Sequence, residues 1–478
     1  MAAKTTAKVL RALAALIGAV SLYATAGESA APQEKNKARE KTAAEKIELA
    51  QDTRQYPENR CAFIQGLTAI SDRDVQDNRV VEGLLDIAVK SDDDPRVRVA
   101  AISALGEIEK NITHDHRAKN KYIGPFAAIL KTADGGQPAP VRKAIAKVFD
   151  ETLNPDGPLD RSEGFKALAD IARNKDEKNI GLRHACILAV GNFGDVEGLS
   201  VLAEILNEPD QLVKEKAAVA LSSLIFKAGE KGSRDVALPT IQKLLGLLND
   251  SNTDENLKIS VMSALAQLIA NGNTSAARAG LQPIKDIVAK DINTNLVIGG
   301  IQALGIVATA DAVEPLKKAY DDNNNAADPN KAVDVRVRVA VIRAIDAVIH
   351  FQAHAKPLDA KAVSAAGQLL VHAIDFDAAP EVKHAAVFAL SSLQDKHFSA
   401  IEVLADPDDA TKGKMPLRAA AIEALLYLTK DSSHPPTPEM KEKIESSLEY
   451  LTGLDFGVDK EGLARWWKWW EENKAKFR

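Results

Sequence analysis

The stretch "VRVAAISAL" (Val97 to Leu105) contains the pattern on which most of this chain is built. Its apolar residues lie at positions i, i+4, i+7 and i+8, which places them on one face of an α-helix. The small residues at i+4 and i+7 allow a neighbouring helix to pack closely. The stretch therefore predicts a helix that is buried against other helices.

The same pattern returns along the chain at intervals of about 40 residues. Close copies are "LRHACILAV" (Leu182 to Val190), "VKEKAAVAL" (Val213 to Leu221), "LKISVMSAL" (Leu257 to Leu265), "VRVAVIRAI" (Val337 to Ile345), "VKHAAVFAL" (Val382 to Leu390) and "LRAAAIEAL" (Leu417 to Leu425). Looser copies are "NRCAFIQGL" (Asn59 to Leu67), "VRKAIAKVF" (Val141 to Phe149) and "LVIGGIQAL" (Leu296 to Leu304). A second apolar helical run precedes most copies, so each repeat is predicted to be a helix pair that is stabilised by stacking.

This pattern resembles the HEAT-repeat family in its short bacterial exported form, over roughly residues 55–430. The resemblance implies an all-α fold, a right-handed α-solenoid of about ten to eleven helix pairs whose second helices line a concave surface. It implies protein–protein scaffolding as the usual activity, and by itself it implies no ligand. No segment with the alternating pattern of a β-strand interrupts the repeats.

Residues 1–26 have the features of a cleavable signal peptide. A basic start (Lys4, Lys8 and Arg11) precedes the apolar run "LAALIGAVSLYA", and "ATA" (Ala24 to Ala26) supplies the small residues of a cleavage site. We expect cleavage after Ala26 and a secreted or periplasmic protein, with an uncleaved N-terminal anchor as the alternative. Residues 27–54, rich in Lys, Glu and Ala, are expected to form a flexible charged linker, solvated up to about Glu45, with a helix after that residue as the alternative.

The net charge of the chain is −6, and removal of the signal peptide makes it more acidic. An acidic protein is a poor candidate for binding nucleic acid or an anionic membrane. We therefore expect a protein or peptide partner of unknown identity, no nucleic acid, and no membrane span after signal cleavage.

The sequence lacks the common motifs of nucleophilic, phosphate-binding, haem and zinc sites. The pair His114 and His116 has no third metal ligand, and Cys61 and Cys186 lie three repeats apart, which favours buried thiols over a disulfide. We expect no catalytic residue, metal or cofactor. The alternative is an exported enzyme or enzyme subunit, similar to the lyase-like HEAT proteins, with a site on the concave face.

A basic residue occupies the second position of nearly every copy of the pattern, with Val297 as the exception. These residues are Arg60, Arg98, Arg142, Arg183, Lys214, Lys258, Arg338, Lys383 and Arg418. They could form a basic stripe for an acidic partner, or a ladder of ion pairs between neighbouring repeats. The HEAT resemblance favours the ladder, with Asp94, Asp334 and Glu381 at its acidic position.

The sequence also suggests three side chains that could touch a partner. Arg336 and Lys216 are expected to face solvent on second helices. The third lies in "RWWKWWEENK" (Arg465 to Lys474), within residues 431–478, which are predicted to form a capping helix pair. Helical geometry places Trp466, Trp467 and Trp470 on its buried stripe, and Trp469 at the edge of that stripe, where it could reach solvent.

Overall fold

The computed structural model describes residues 41–68, 78–111, 119–132, 136–152, 162–272, 278–324, 334–354, 358–390, 401–404, 414–430 and 435–476. The signal peptide, the linker up to residue 40 and His114 to His116 lie outside these residues, and what was expected of them stays a prediction. Ala43–Arg478 forms one compact unit. No helix in the described part of the chain is both long enough and apolar enough to cross a membrane.

The described residues form 21 α-helices, which confirms the all-α solenoid. The helices are α1 (Ala43–Gln51), α2 (Pro57–Gln65), α3 (Asn78–Val89), α4 (Pro95–Asn111), α5 (Lys119–Lys131), α6 (Ala139–Thr152), α7 (Ser162–Arg173), α8 (Ile180–Phe193), α9 (Gly198–Ile205), α10 (Gln211–Asp235), α11 (Leu238–Asn249), α12 (Glu255–Ala270), α13 (Leu281–Lys290), α14 (Thr294–Val307), α15 (Ala310–Asn324), α16 (Val335–His354), α17 (Ala360–Phe376), α18 (Pro380–Leu390), α19 (Leu417–Leu428), α20 (Pro438–Thr452) and α21 (Lys460–Asn473).

From α1 to α18 the helices alternate between two layers. The odd-numbered helices form a first layer, and the even-numbered helices form a second layer in which each packs on the next from α2 to α18. All copies of the pattern between Asn59 and Leu390 lie in this second layer. The repeat pattern therefore marks the helices that form the continuous stack of the solenoid.

Small residues set how closely the second-layer helices approach one another. A Cβ atom on Gly191 of α8 would overlap the backbone of Ala220 of α10, and one on Gly305 of α14 would lie 3.0 Å from the Cα of Ala344 of α16. The packed surface is otherwise built from buried Ala, Val, Ile and Leu. Ala220 and Ala344 lie at position i+7 of the pattern, and each glycine directly follows its own copy, so close contact of this kind explains why small residues recur there.

The helical body begins earlier than the sequence suggested. Residues 27–54 were expected to be a linker, yet α1 starts at Ala43 and packs on α2 and α3. Ile47 and Ala50 are buried, and the Ile47 side chain fills the space beside Gly83. These apolar residues form a buried face on α1, so α1 packs on the repeats although the residues around it are mostly charged.

At the C-terminal end, α19 and α20 lie in the opposite layers from those that the sequence predicted. The copy "LRAAAIEAL" was assigned to a second helix, but α19, which contains it, packs on first-layer helix α17, where Leu417 lies against Gly367. Helix α20, predicted to be the first helix of the capping pair, instead packs on second-layer helix α18, and Ser447 Oγ donates to the Val387 carbonyl oxygen. The last pair is therefore α19 with α20.

A short β-hairpin also departs from the purely helical expectation. Strands β1 (Glu402–Leu404) and β2 (Lys414–Pro416) are antiparallel, with Val403 opposite Met415. Both of these side chains are buried, and β1 contacts α17. Strands of three residues are too short to show an alternating pattern in the sequence.

Candidate functional site

Four residues of the basic column, Arg60, Arg142, Arg183 and Arg338, form a ladder of ion pairs that ties neighbouring repeats together. The most complete rung is Arg338, which donates to both carboxylate oxygens of Asp377, at 2.9 and 3.2 Å, and to the Asn323 carbonyl oxygen at 2.9 Å. The Tyr320 hydroxyl donates to the same carboxylate at 2.7 Å. Arg338 and Asp377 are both buried, so removing either partner would leave a charge away from water.

Three other rungs repeat this arrangement. Arg60 donates to both oxygens of Asp93 at 2.6 Å, Arg142 donates to Glu177 at 2.8 Å, and Arg183 donates to Glu208 at 2.6 Å. In each case Nε donates to the carbonyl of the penultimate residue of the preceding first-layer helix; these residues are Ala50, Leu130 and Ala172. Each arginine thus closes the C-terminus of its own first helix, where cations are favoured, and holds the next repeat.

The acids of the ladder are not the ones that the sequence suggested. The carboxylates lie two or three residues before the next second helix, whereas Asp94 and Asp334 pair with Arg96 and Arg336 on their own helices, at 2.9 and 2.8 Å. The physical reason is position. The buried guanidinium, at the second position of the repeat pattern, lies beside the turn that precedes the next second-layer helix, so it contacts a carboxylate in that turn. The ladder interpretation holds for these four rungs with this change of partner.

Arg98 differs from the other rungs. Its Nε donates to the Ala88 carbonyl oxygen at 3.0 Å, as in the rungs of Arg60, Arg142 and Arg183, but within the described residues neither Nη1 nor Nη2 has a hydrogen-bond partner, and the residue is fully buried. In the turn before α6, Gly136 and Gln137 stand where the other rungs have their carboxylate. Burial lowers the pKa of the Arg98 guanidinium. The arginines of the other four rungs each pair with a carboxylate, whereas no carboxylate among the described residues pairs with Arg98.

The second layer exposes a continuous surface, which we name the repeat face: the third and seventh positions of the pattern from α2 to α18. Its third positions are Cys61, Val99, Lys143, His184, Glu215, Ile259, Ile298, Val339 and His384. Its seventh positions are Gln65, Ser103, Lys147, Leu188, Val219, Ser263, Gln302, Arg343 and Phe388. All eighteen side chains are half-buried or exposed, so the face is open along the stack.

The repeat face is poor in acid although the chain as a whole is acidic. It contains three Lys or Arg residues, two His residues and a single carboxylate, Glu215, which pairs with Lys216 at 2.8 Å. Burial, reinforced by Lys216, lowers the pKa of His184. Lys143 and Arg343 make no ion pair within the described residues. The face therefore offers cations that the rest of the described chain does not neutralise.

The structure places the predicted contact residues Arg336 and Lys216 near this face but pairs both of them. Arg336 is exposed at the start of α16 and is held by Asp334, whereas Lys216, on α10, is half-buried beside Glu215. Asp334 raises the pKa of Arg336 through their hydrogen bond. Sequence reasoning missed Lys143 and Arg343, although the position-by-position alignment of the repeats could have shown them.

The tryptophans close the C-terminal end of the solenoid. Trp466 and Trp470 are 0% and 1% exposed, and the Trp466 ring meets Phe456 edge-on, with ring centroids 4.7 Å apart. Trp469 is half-buried and packs edge-on against Trp466, with 5.9 Å between ring centroids. Its partial exposure agrees with the sequence analysis, but its contact with a partner remains a prediction.

Trp467 is less buried than helical geometry predicted. It is half-buried, with its ring edge-on to Tyr427 of α19 at 5.3 Å and with Lys430 Nζ 3.3 Å from the ring centroid. Tyr427 of α19 and Lys430, which follows that helix, contact the Trp467 ring and leave it half-buried. The cap therefore has two buried and two half-buried indoles.

The described residues contain no group of three or more His, Cys, Asp or Glu side chains placed to hold a metal ion. Both cysteines are free thiols, and burial raises the pKa of Cys186 to about 12 and also raises that of Cys61. Cys61 lines a groove of about 290 Å³ between α2 and α4, together with Pro57, Gln65 and Arg96. This groove lies at the N-terminal end of the repeat face.

Comparison with known proteins finds similarity at the level of the fold. No protein-family model matches the chain, and no curated protein matches it. Two solved structures of importin beta, a HEAT/armadillo solenoid, resemble it with a TM-score of 0.53, at 12% and 14% identity. They align with 91% and 90% of this chain, which spans only 54% of the length of importin beta. Likeness at this identity shows the fold alone.

Proposed function

We propose that this protein is an exported scaffold of the HEAT-repeat type, which binds another protein or a peptide on its repeat face without catalysis. The observation that carries the proposal is the open surface of the second layer, on which eighteen side chains at repeating positions remain half-buried or exposed. Surfaces of this kind present many regularly spaced contacts to an extended partner, which is the usual use of a solenoid.

The ladder supports the same function. Buried ion pairs between repeats fix the spacing of the second helices, so that contacts on the repeat face keep their relative positions. Export is supported by the basic, apolar and small-residue segments of residues 1–26. The likeness to importin beta is consistent with a solenoid fold and does not identify the partner.

The test is site-specific photo-crosslinking in the native compartment. A photoreactive amino acid is placed at Gln302, on the repeat face, and, as a matched control, at Lys166 on first-layer helix α7; both positions are exposed. We expect a captured protein at Gln302 and none at Lys166, identified by mass spectrometry. Capture at Lys166 alone, or at neither position in a chain that remains folded, would contradict the proposal.

A further inference from the structure

Resting on the proposed function, we infer that the repeat face binds an extended segment with acidic residues at both ends and uncharged aliphatic residues between them. The inference rests on how charge is arranged along the stack. Cations occupy the face near its N-terminal part and again near its C-terminal part, and apolar side chains occupy the middle.

The N-terminal basic group lies on α6 and α8. Lys143 and Lys147 are one helical turn apart on α6, and the imidazole of His184, whose lowered pKa favours the neutral form, follows on α8. The side chain of Lys147 is 73% exposed, and its nearest carboxylate, Glu151, is 3.8 Å away on the same helix. The Lys143 ammonium lies over Gly181 at the start of α8, where a side chain would collide with it. A carboxylate above this pair would meet two cations at once.

The middle of the face, formed by the third and seventh positions of α12 and α14 and by the third position of α16, contains no charged side chain. Ile259, Ile298 and Val339 occupy the third positions of three successive helices and are half-buried. The adjoining seventh positions of α12 and α14 are Ser263 and Gln302, which can donate hydrogen bonds to a peptide backbone. This stretch fits aliphatic side chains and an exposed backbone, and it offers no charge to pair with an acid.

The C-terminal basic group lies on α16 and α18. Arg343 is exposed on α16 and makes no ion pair within the described residues, and His384 occupies the third position of α18. Phe388, on the same helix, is 45% exposed. A guanidinium can bind a carboxylate through two parallel hydrogen bonds, so Arg343 suits an acidic side chain or a terminal carboxylate.

The distance between the two basic groups sets the length of the segment. Five helix-to-helix steps separate α6 from α16, and at about 8–10 Å a step the span is about 40–50 Å. An extended chain covers about 3.3 Å per residue, so about 12–15 residues would link the two acidic ends. This length follows from the spacing of the helices, and it sets the distance between the two acidic blocks in the peptide probes.

Fluorescence anisotropy with defined peptides tests the inference. The first probe has Glu-Asp-Glu-Asp at each end, joined by about 13 uncharged residues with Val and Ile at the centre. The second probe has the same composition with the two acidic blocks adjacent, and the third replaces every acid with Lys. We expect the first probe to bind at least about tenfold more tightly than the second, because both blocks engage at once, and the third not to bind.

Charge reversal locates the bound peptide. Lys143→Glu with Lys147→Glu, and separately Arg343→Glu, should each reduce binding of the first probe to the level of the second. Lys166→Glu on α7, an exposed change of the same charge outside the repeat face, should leave it unaltered. Circular dichroism melts confirm that all variants are folded. Binding should also weaken as salt rises, because the contacts are ionic.

Equal binding of the first two probes, binding of the lysine probe, or insensitivity to charge reversal on the repeat face would each overturn the inference. The proposed function fails separately. If photo-crosslinking at Gln302 captures a protein while none of the acidic probes binds, the scaffold function stands and the acidic segment is excluded.

Discussion

Helices with the repeat pattern lie in the second layer from α2 to α18, but at the C-terminal end the helix with this pattern, α19, lies in the first layer. In the stack, each helix from α4 to α16 packs on two others of its layer, and Arg60, Arg142, Arg183 and Arg338 each pair with a carboxylate that precedes the next second-layer helix. At the end, α19 carries the pattern and lies in the first layer, and Arg418 donates to the Leu451 carbonyl oxygen at the end of α20, the helix that follows it.

This difference shows that the pattern specifies a helix buried on several faces and does not specify its layer. In α19, nine of the twelve residues are buried, so the helix fits either layer. Its position is decided by its neighbours: the β-hairpin against α17 leads directly into α19, where the Leu417 amide donates to Ile401 at 2.8 Å. The chain then reaches the second layer only at α20.

The largest effect is expected where the stack is most tightly bound. Arg338→Ala should lower the free energy of unfolding by about 3–5 kcal/mol, because it leaves the buried Asp377 without its cation. Urea unfolding followed by circular dichroism measures the change. The double variant Arg338→Met with Asp377→Asn is the control, since it removes both charges and should lose less. If both variants lose the same free energy, the pair does not hold the repeats.

The C-terminal cap should show a similar or slightly smaller effect, confined to its own end. Trp466→Ala removes a fully buried indole and should cost about 3 kcal/mol or more locally. Hydrogen exchange should then accelerate in α19, α20 and α21 and stay unchanged from α2 to α8. Trp469→Ala, at the half-buried position, should cost less. Equal losses for the two tryptophans would contradict the proposed difference in burial.

The incomplete rung sharpens the comparison within the stack. Arg98→Met should lower the stability clearly less than Arg142→Met, and could raise it, because no carboxylate among the described residues pairs with the buried Arg98 whereas Arg142 pairs with Glu177. Melting temperatures of the two variants, measured side by side, give the order. An equal fall in melting temperature for Arg98→Met and Arg142→Met would mean that Arg98 stabilises the stack as much as an arginine with a carboxylate partner.

The smallest effect is expected at the helix starts. Arg336→Ala should change the free energy of unfolding only slightly, since its ion pair with Asp334 is exposed to water. The same holds for Arg96, which pairs with Asp94 and Glu58. A loss from Arg336→Ala comparable with that from Arg338→Ala would overturn the distinction between the ladder and the surface pairs.

The sequence was sufficient for the parts of the fold that repeat. The helix pairs, the close-packed small residues and the ion pairs of four arginines between repeats all follow from one pattern seen many times. The acids of the ladder did not follow, because Asp93 and Glu177 lie in turns of different length, where alignment by the helix pattern is lost. The sequence also did not predict the β-hairpin or the placement of α19 in the first layer and α20 in the second layer, since both depend on contacts between distant segments.

The candidate site was only partly accessible to sequence reasoning. Arg336 and Lys216 were expected to face solvent. Arg336 is exposed and Lys216 is half-buried, and their pairing with Asp334 and Glu215 depends on side-chain geometry that the sequence does not show. The charge of the repeat face emerges only when all third and seventh positions are compared and their burial is known. A single copy of the pattern contains too few exposed residues to show it.

Hydrogen exchange of the protein with and without its crosslinked partner tests the central claim most directly, namely that the repeat face is the binding surface. Protection is predicted in the second-layer helices from α6 to α18, with the first-layer helices α7, α11 and α15 unchanged. Protection concentrated in the first layer, or in α21 alone, would contradict the account.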